Sequence, residues 1–195
     1  MARRTIPAPM RVRVPVAFVL GLLVWGLLAA ACSDAPEPGV TDASHVLQQA
    51  LQAHADGDLD AAADLYKRVL VLDPENKFAY YNLGLIHQTE GRLGAAAENY
   101  EQAIAIDPTF GPALFNLATV RAEEGAPEEA IDLYRQVLEV NADNAAAHLN
   151  LGFLLVDNGE RKEGKAELAI AVQLDPTLES RIPDELLVVG DATGP

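Results

Sequence analysis

KFAYYNLGLIHQTEGRLGAAAENYEQAIAIDP, residues 77–108, is the stretch whose reading decides the fold. Leu83, Leu85 and Ile86 precede Gly91, and Leu93, Ala96, Ala97, Tyr100, Ala103 and Ile104 follow it at three- and four-residue steps, the spacing of apolar helical stripes. Gly91 supplies the left-handed residue that ends a first helix. Asp107-Pro108 ends a second, because proline disfavours helical geometry in the residue before it. The stretch predicts two helices joined by a tight turn.

The same unit recurs on both sides. Gly57, Gly91, Gly125 and Gly159 stand 34 residues apart with no insertion, which is the period of a stacked repeat array. Five positions after each glycine comes Ala62, Ala96, Ala130 or Gly164, and nine positions after it Tyr66, Tyr100, Tyr134 or Leu168. Ala50, Gly84, Ala118 and Gly152 lie seven positions before, where a small side chain lets two helix axes approach closely. Asp73-Pro74 and Asp175-Pro176 repeat the stop signal, but Ala142 replaces the proline in the third unit, so that boundary is expected to be less sharply defined.

With Tyr80, Leu83, Gly84, Ala96, Tyr100, Ala103 and Pro108, the second unit resembles the tetratricopeptide repeat family, and the resemblance runs from Ala43 to Leu178. It implies an all-α fold, a right-handed superhelical solenoid of four tetratricopeptide helix-turn-helix repeats (43–76, 77–110, 111–144 and 145–178) whose first helices line a concave groove. The usual aromatic near the start of each unit departs to Val46, Leu114 and His148, and Gln49 stands where the later units have Leu83, Leu117 and Leu151. The first copy is weakest, as suits a terminal unit with one face toward solvent. Residues 179–195 form a tail in which 183–189 is expected to make a short helix over the apolar edge of the last unit.

The groove is where function is expected. Asn82, Asn116 and Asn150 recur 34 apart on the first helices, so stacking aligns them as a ladder. Each amide offers a donor and an acceptor, matching the alternating amides of an extended peptide. In the family, asparagines at this place commonly hold ligand backbone; the alternative is that they bond to a neighbouring helix. Phe78, Tyr81, Leu85, Phe115, Leu149, Phe153 and Val156 are expected to share that wall, either as apolar pockets or as core between repeats. Family members that grip a ligand's C-terminal carboxylate place lysine or arginine near the ladder, whereas this chain has Phe78, Pro112 and Ala146, so no carboxylate clamp is expected.

Residues 1–31 are a different object. Arg3, Arg4, Arg11 and Arg13 precede an uncharged apolar run from Val14 to Ala31, and Ala29-Ala30-Ala31 leads into Cys32, the one cysteine of the chain. This predicts an export signal. Its end resembles the cleavage box of bacterial lipoproteins, although Leu28 lies one step further from the cysteine than that box prefers. Lipidation at Cys32 is the favoured reading, with an uncleaved membrane anchor or a buried thiol as alternatives, since the run of 18 residues is near the lower limit for spanning a bilayer. Residues 32–42 are acidic and proline-rich, as suits a tether. Either form of anchor places the repeats outside the cytoplasm, in the cell envelope.

All 29 acidic residues follow Cys32 and four of the 14 basic ones precede it, giving the part from Cys32 onward a net charge of −19. Such a surface repels nucleic acid and anionic lipid. His45, His54, His87 and His148 are scattered, without metal-ligand spacing. Asp56-Gly57-Asp58-Leu59-Asp60 looks like the start of a calcium loop, but the sixth position is Ala61 and the twelfth Lys67. Neither a nucleophile-and-base set nor a phosphate-cradling glycine loop is present. The expectation is therefore a protein without catalytic residues, metal or cofactor, an adaptor holding a peptide segment of another envelope protein; a module binding a cell-wall glycan is the alternative.

Overall fold

The computed structural model describes residues 42–187. The export signal expected over 1–31, the lipidation expected at Cys32 and the end of the tail lie outside the described residues.

Helices come in pairs: α1 (Ala43–Ala55) with α2 (Leu59–Leu72), α3 (Lys77–Thr89) with α4 (Leu93–Ile106), α5 (Gly111–Glu123) with α6 (Pro127–Val140), and α7 (Ala145–Asp157) with α8 (Arg161–Leu174). A 3-10 helix (Pro176–Arg181) and α9 (Asp184–Leu187) follow. Each helix packs chiefly on its pair-mate and then on the neighbouring pair, which is the all-α repeat solenoid implied by the 34-residue period. No strand occurs among the described residues.

Local chemistry sets the boundaries. The four periodic glycines all adopt positive φ, from 73° at Gly91 to 91° at Gly159. Each lets the next amide reach back to close the helix, as Arg92 N–H does to the His87 carbonyl at 2.9 Å and Ala126 N–H to the Arg121 carbonyl at 2.9 Å. Asp42, Asp58, Asn76 and Asn144 cap the N-termini of α1, α2, α3 and α7 through side-chain oxygens. Proline in the first turn serves α5 and α6 instead.

The third unit corrects one expectation. Although Ala142 replaces proline, α6 ends as sharply as its counterparts, with Asn141 at φ −145° and ψ 93° against −134° and 97° at Asp107. The stop that Asp107 and Asp175 make with Thr109 N–H and Thr177 N–H is kept here by Asn141, and one side chain from the next helix is added. The Asn141 Oδ1 accepts from Asp143 N–H at 3.2 Å, and His148 Nε2 bonds the Ala142 carbonyl at 2.9 Å. The other ring nitrogen of His148 lies 2.5 Å from Glu167 Oε2, so this buried histidine ties the turn to α8.

Tyr66, Tyr100, Tyr134 and Leu168 are fully buried between paired helices. Their room comes from the small residues opposite: a Cβ at Gly84 would lie 2.5 Å from the Tyr100 ring, and one at Gly152 would lie 2.7 Å from Leu168 Cγ and 2.9 Å from the Gly164 carbonyl oxygen. Beyond α8, Leu178, Ile182 and Leu186 pack on Leu149, Leu168 and Ala171. Burying side chains of this size contributes about 1.5–3 kcal/mol each. The tail thus shields apolar surface that a fifth unit would otherwise cover.

Candidate peptide-binding groove

The first helices α3, α5 and α7 carry the asparagines, and the three amides do not behave alike. Asn82 donates to the Phe78 carbonyl of its own helix at 2.7 Å. Asn116 donates to the Tyr81 hydroxyl of the preceding unit at 3.3 Å, and Asn150 donates to the Tyr134 hydroxyl of the preceding unit at 2.9 Å. Two of the three therefore bridge to a neighbouring helix. In each case the bond uses Nδ2, which leaves the amide oxygen; the Asn116 amide also faces the Tyr100 hydroxyl.

Around Asn150 the bonds form a directed chain. The Thr119 hydroxyl donates to the Phe115 carbonyl at 3.1 Å, so its contact of 2.9 Å with the Tyr134 hydroxyl is one in which tyrosine donates. The tyrosine lone pair is then open to Asn150. Burial pushes the hydroxyls of Tyr81 and Tyr134 upward in pKa and that of Tyr66 up to about 12, so these groups stay protonated and keep their bonds.

Two cavities lie along α5 and α7. One, of about 550 Å³, is bounded by Tyr81, Pro112, Phe115, Val140 and Ala146, with Asn116, Asn141 and Asn144 on its walls. Asn141 and Asn144 spend their side-chain oxygens on backbone N–H groups, which leaves their Nδ2 donors beside the cavity. The other, of about 340 Å³, is bounded by Thr119, Glu123, Tyr134, Asn150 and Phe153. Apolar walls with a few polar atoms suit a peptide side chain flanked by backbone.

The wall residues divide. Phe78 is 47% exposed and meets Phe110 edge-on at 5.7 Å, Phe110 meets Tyr81 at 5.3 Å, and Lys77 Nζ lies 5.2 Å and 5.1 Å from the two phenylalanine rings. Lys77 also pairs with Asp107 at 2.5 Å, and that bond, with those from Thr109, holds the carboxyl down at about 2. Phe115 packs edge-on against Tyr134 at 5.4 Å while lining the larger cavity, and Phe153 lines the smaller. Leu85 is half-buried against the Tyr100 cluster. Leu149, only 1% exposed, belongs to the core under the tail, and Val156 packs against Gly164; neither is a groove residue, because their face of α7 turns toward α8 and the tail.

Phe110, Val140 and Asn144 escaped the reading of first-helix faces because they sit at helix ends between units. Their signal was positional: the residues that join one unit to the next return to the groove rim. Among the described residues no set of three His, Cys, Asp or Glu side chains is arranged to hold a metal ion, and no helix is long and apolar enough to cross a membrane.

A family model described as the middle TPR-like domain of cilia and flagella-associated protein 70 matches residues 46–174. The crystal structure of MamA superposes with TM-score 0.66 at 21% identity, covering 81% of this chain and 87% of that one. YrrB, described as a TPR protein with an unusual peptide-binding site, superposes with TM-score 0.66 at 24% identity over 72% of each chain. The first TPR domain of Spaghetti (RPAP3), solved with the HSP90 peptide SRMEEVD, superposes with TM-score 0.58 at 21% identity over 60% of this chain and 94% of that one. Among curated protein sequences none matches.

Proposed function

Since the chain belongs to the tetratricopeptide repeat family, we propose that it is an exported, membrane-anchored adaptor whose groove holds an extended peptide segment of another envelope protein. The observation that carries this reading is the apolar cavity of about 550 Å³ ringed by three asparagines with amide atoms to spare. An extended peptide needs donors and acceptors alternating beside side-chain pockets. Asn116 offers an acceptor, and Asn141 and Asn144 offer donors. Peptide binding by structural neighbours such as YrrB and the Spaghetti domain supports the same use of the fold. Holding a segment requires no bond-making, and the adaptor is proposed as non-catalytic.

Anchoring is proposed from the basic start, the apolar run and Cys32. Two acyl chains on Cys32 make a stable anchor where one is marginal, at about 0.8 kcal/mol per buried methylene. Metabolic labelling with a palmitate analogue checks it: label on the wild type and none on Cys32→Ser is expected, whereas no wild-type label leaves the uncleaved helix as the anchor. For the groove, the full chain and a Val140→Gln/Ala146→Gln variant with polar side chains filling the cavity are compared on solubilised envelope proteins and on purified cell wall. Retention of a protein by the wild type alone is expected. Retention of cell wall alone would overturn the peptide reading.

A further inference from the structure

The first helices carry few charges, and those few are distributed unevenly. Lys77 is paired with Asp107, and Arg121 is held by Glu101, Glu124 and Glu129 at 2.5, 2.7 and 3.1 Å. The cations on these helices are thus already neutralised. Glu123 and Asp157 are not: both are exposed, and neither makes a hydrogen bond or ion pair among the described residues. They occupy the same register position on α5 and α7, one repeat apart, where the first two units have Ala55 and Thr89. Each closes the last turn of its helix, so the macrodipole adds to the negative potential there. Glu123 also bounds the smaller cavity beside Tyr134 and Phe153. The larger cavity, at the other end of α5, holds no charged side chain.

We infer that the occupant of the groove is a basic, apolar peptide segment, with an aromatic or branched side chain in the cavity under Pro112 and Phe115 and a lysine or arginine facing Glu123 and Asp157. This rests on the groove reading above and goes beyond it in stating the ligand's charge and spacing. Phe115 and Glu123 are eight residues apart on one helix, about 12 Å along its axis, which an extended chain covers in about three or four residues. The field of an unpaired carboxylate reaches about 8 Å at physiological ionic strength, so the cation must sit close to that end of the groove to profit. An acidic segment, such as the SRMEEVD peptide held by the Spaghetti domain, meets no free cation on these helices.

The test is selection of random twelve-residue peptides displayed on phage against the full chain in detergent, against Glu123→Gln/Asp157→Asn, and against Val140→Gln/Ala146→Gln. The wild type is expected to enrich peptides with Lys or Arg three or four positions from an aromatic or branched residue. The carboxylate variant should lose the basic preference, and a selected synthetic peptide should bind it about tenfold more weakly, with the deficit shrinking as salt rises. Neutral or acidic ligands that the filled cavity rejects would overturn the charge assignment and leave the groove reading standing. Basic ligands enriched equally on the carboxylate variant would overturn it too, since general acidity then explains them. Ligands indifferent to the filled cavity would remove both readings.

Discussion

Alanine at Gly152 and alanine at Gly94 are the same chemical change with opposite expected signs. In a helix interior alanine is favoured over glycine by about 1 kcal/mol. Gly94, in the first turn of α4, has nothing within 4 Å of a new Cβ, so Gly94→Ala keeps most of that gain. At Gly152 the Cβ would fall 2.7 Å from Leu168 Cγ and 2.9 Å from the carbonyl oxygen of Gly164. The second contact is with backbone, so α7 and α8 must separate rather than one side chain turn aside. Overpacking of this kind costs about 1–3 kcal/mol, which exceeds the propensity gain over most of its range. For a domain of this size 1 kcal/mol moves the melting temperature by about 2–4 °C. Thermal unfolding followed by circular dichroism should therefore show Gly94→Ala up by a few degrees and Gly152→Ala down, by as much as about 8 °C. Leu168→Ala should make the Gly152 substitution less costly, since it empties part of the space in dispute. A Gly152→Ala protein that melts as far above the wild type as Gly94→Ala does would refute the close approach of these two helices.

Asn116→Ala removes a long bond to the Tyr81 hydroxyl and should change stability by less than about 1 kcal/mol while weakening a groove peptide several-fold; Asn150→Ala, which breaks the shorter chain through Tyr134 and Thr119, should lower the melting temperature more. Stability lost at Asn116 with affinity per folded molecule unchanged would assign that amide to the helix interface alone. Leu186→Ser exposes the end of the solenoid and should lower the melting temperature and promote association at high concentration, both read in one light-scattering melt. Asp107 is held at about 2 when folded against 3.8 for an ordinary carboxyl, so the stability it adds is present above pH 4 and is lost as pH falls toward 2. Wild type and Lys77→Met should accordingly differ in melting temperature at pH 6 and converge near pH 2; a constant difference would deny the Lys77–Asp107 pair its role.

What the residues disclosed was local. The helix pairs were legible because the period, the glycine at each first-helix end and the three- and four-residue apolar steps act within one unit. The boundary after α6 carries no proline, and the His148 ring that holds the Ala142 carbonyl comes from six residues away on the next helix, where no local stop signal announces it. The register of the asparagines was visible, but their partners were not: the Tyr81 hydroxyl is 35 residues from Asn116 and the Tyr134 hydroxyl 16 from Asn150, and only packing brings them together. Leu149 shares its helix with groove residues, yet the tail buries it, and no pattern within the unit announces what lies beyond the last repeat.

The claim that a peptide occupies the groove of α3, α5 and α7 is tested most directly by contact. A photo-crosslinking amino acid is placed at Ala146, on the cavity wall, and separately at Gln136, exposed on α6, in the full chain within its own envelope, and the adducts are sequenced by mass spectrometry. The account predicts a polypeptide adduct from position 146 that disappears when Val140→Gln is added, with no matching adduct from position 136. The same adduct from both positions, or none from position 146, would contradict it.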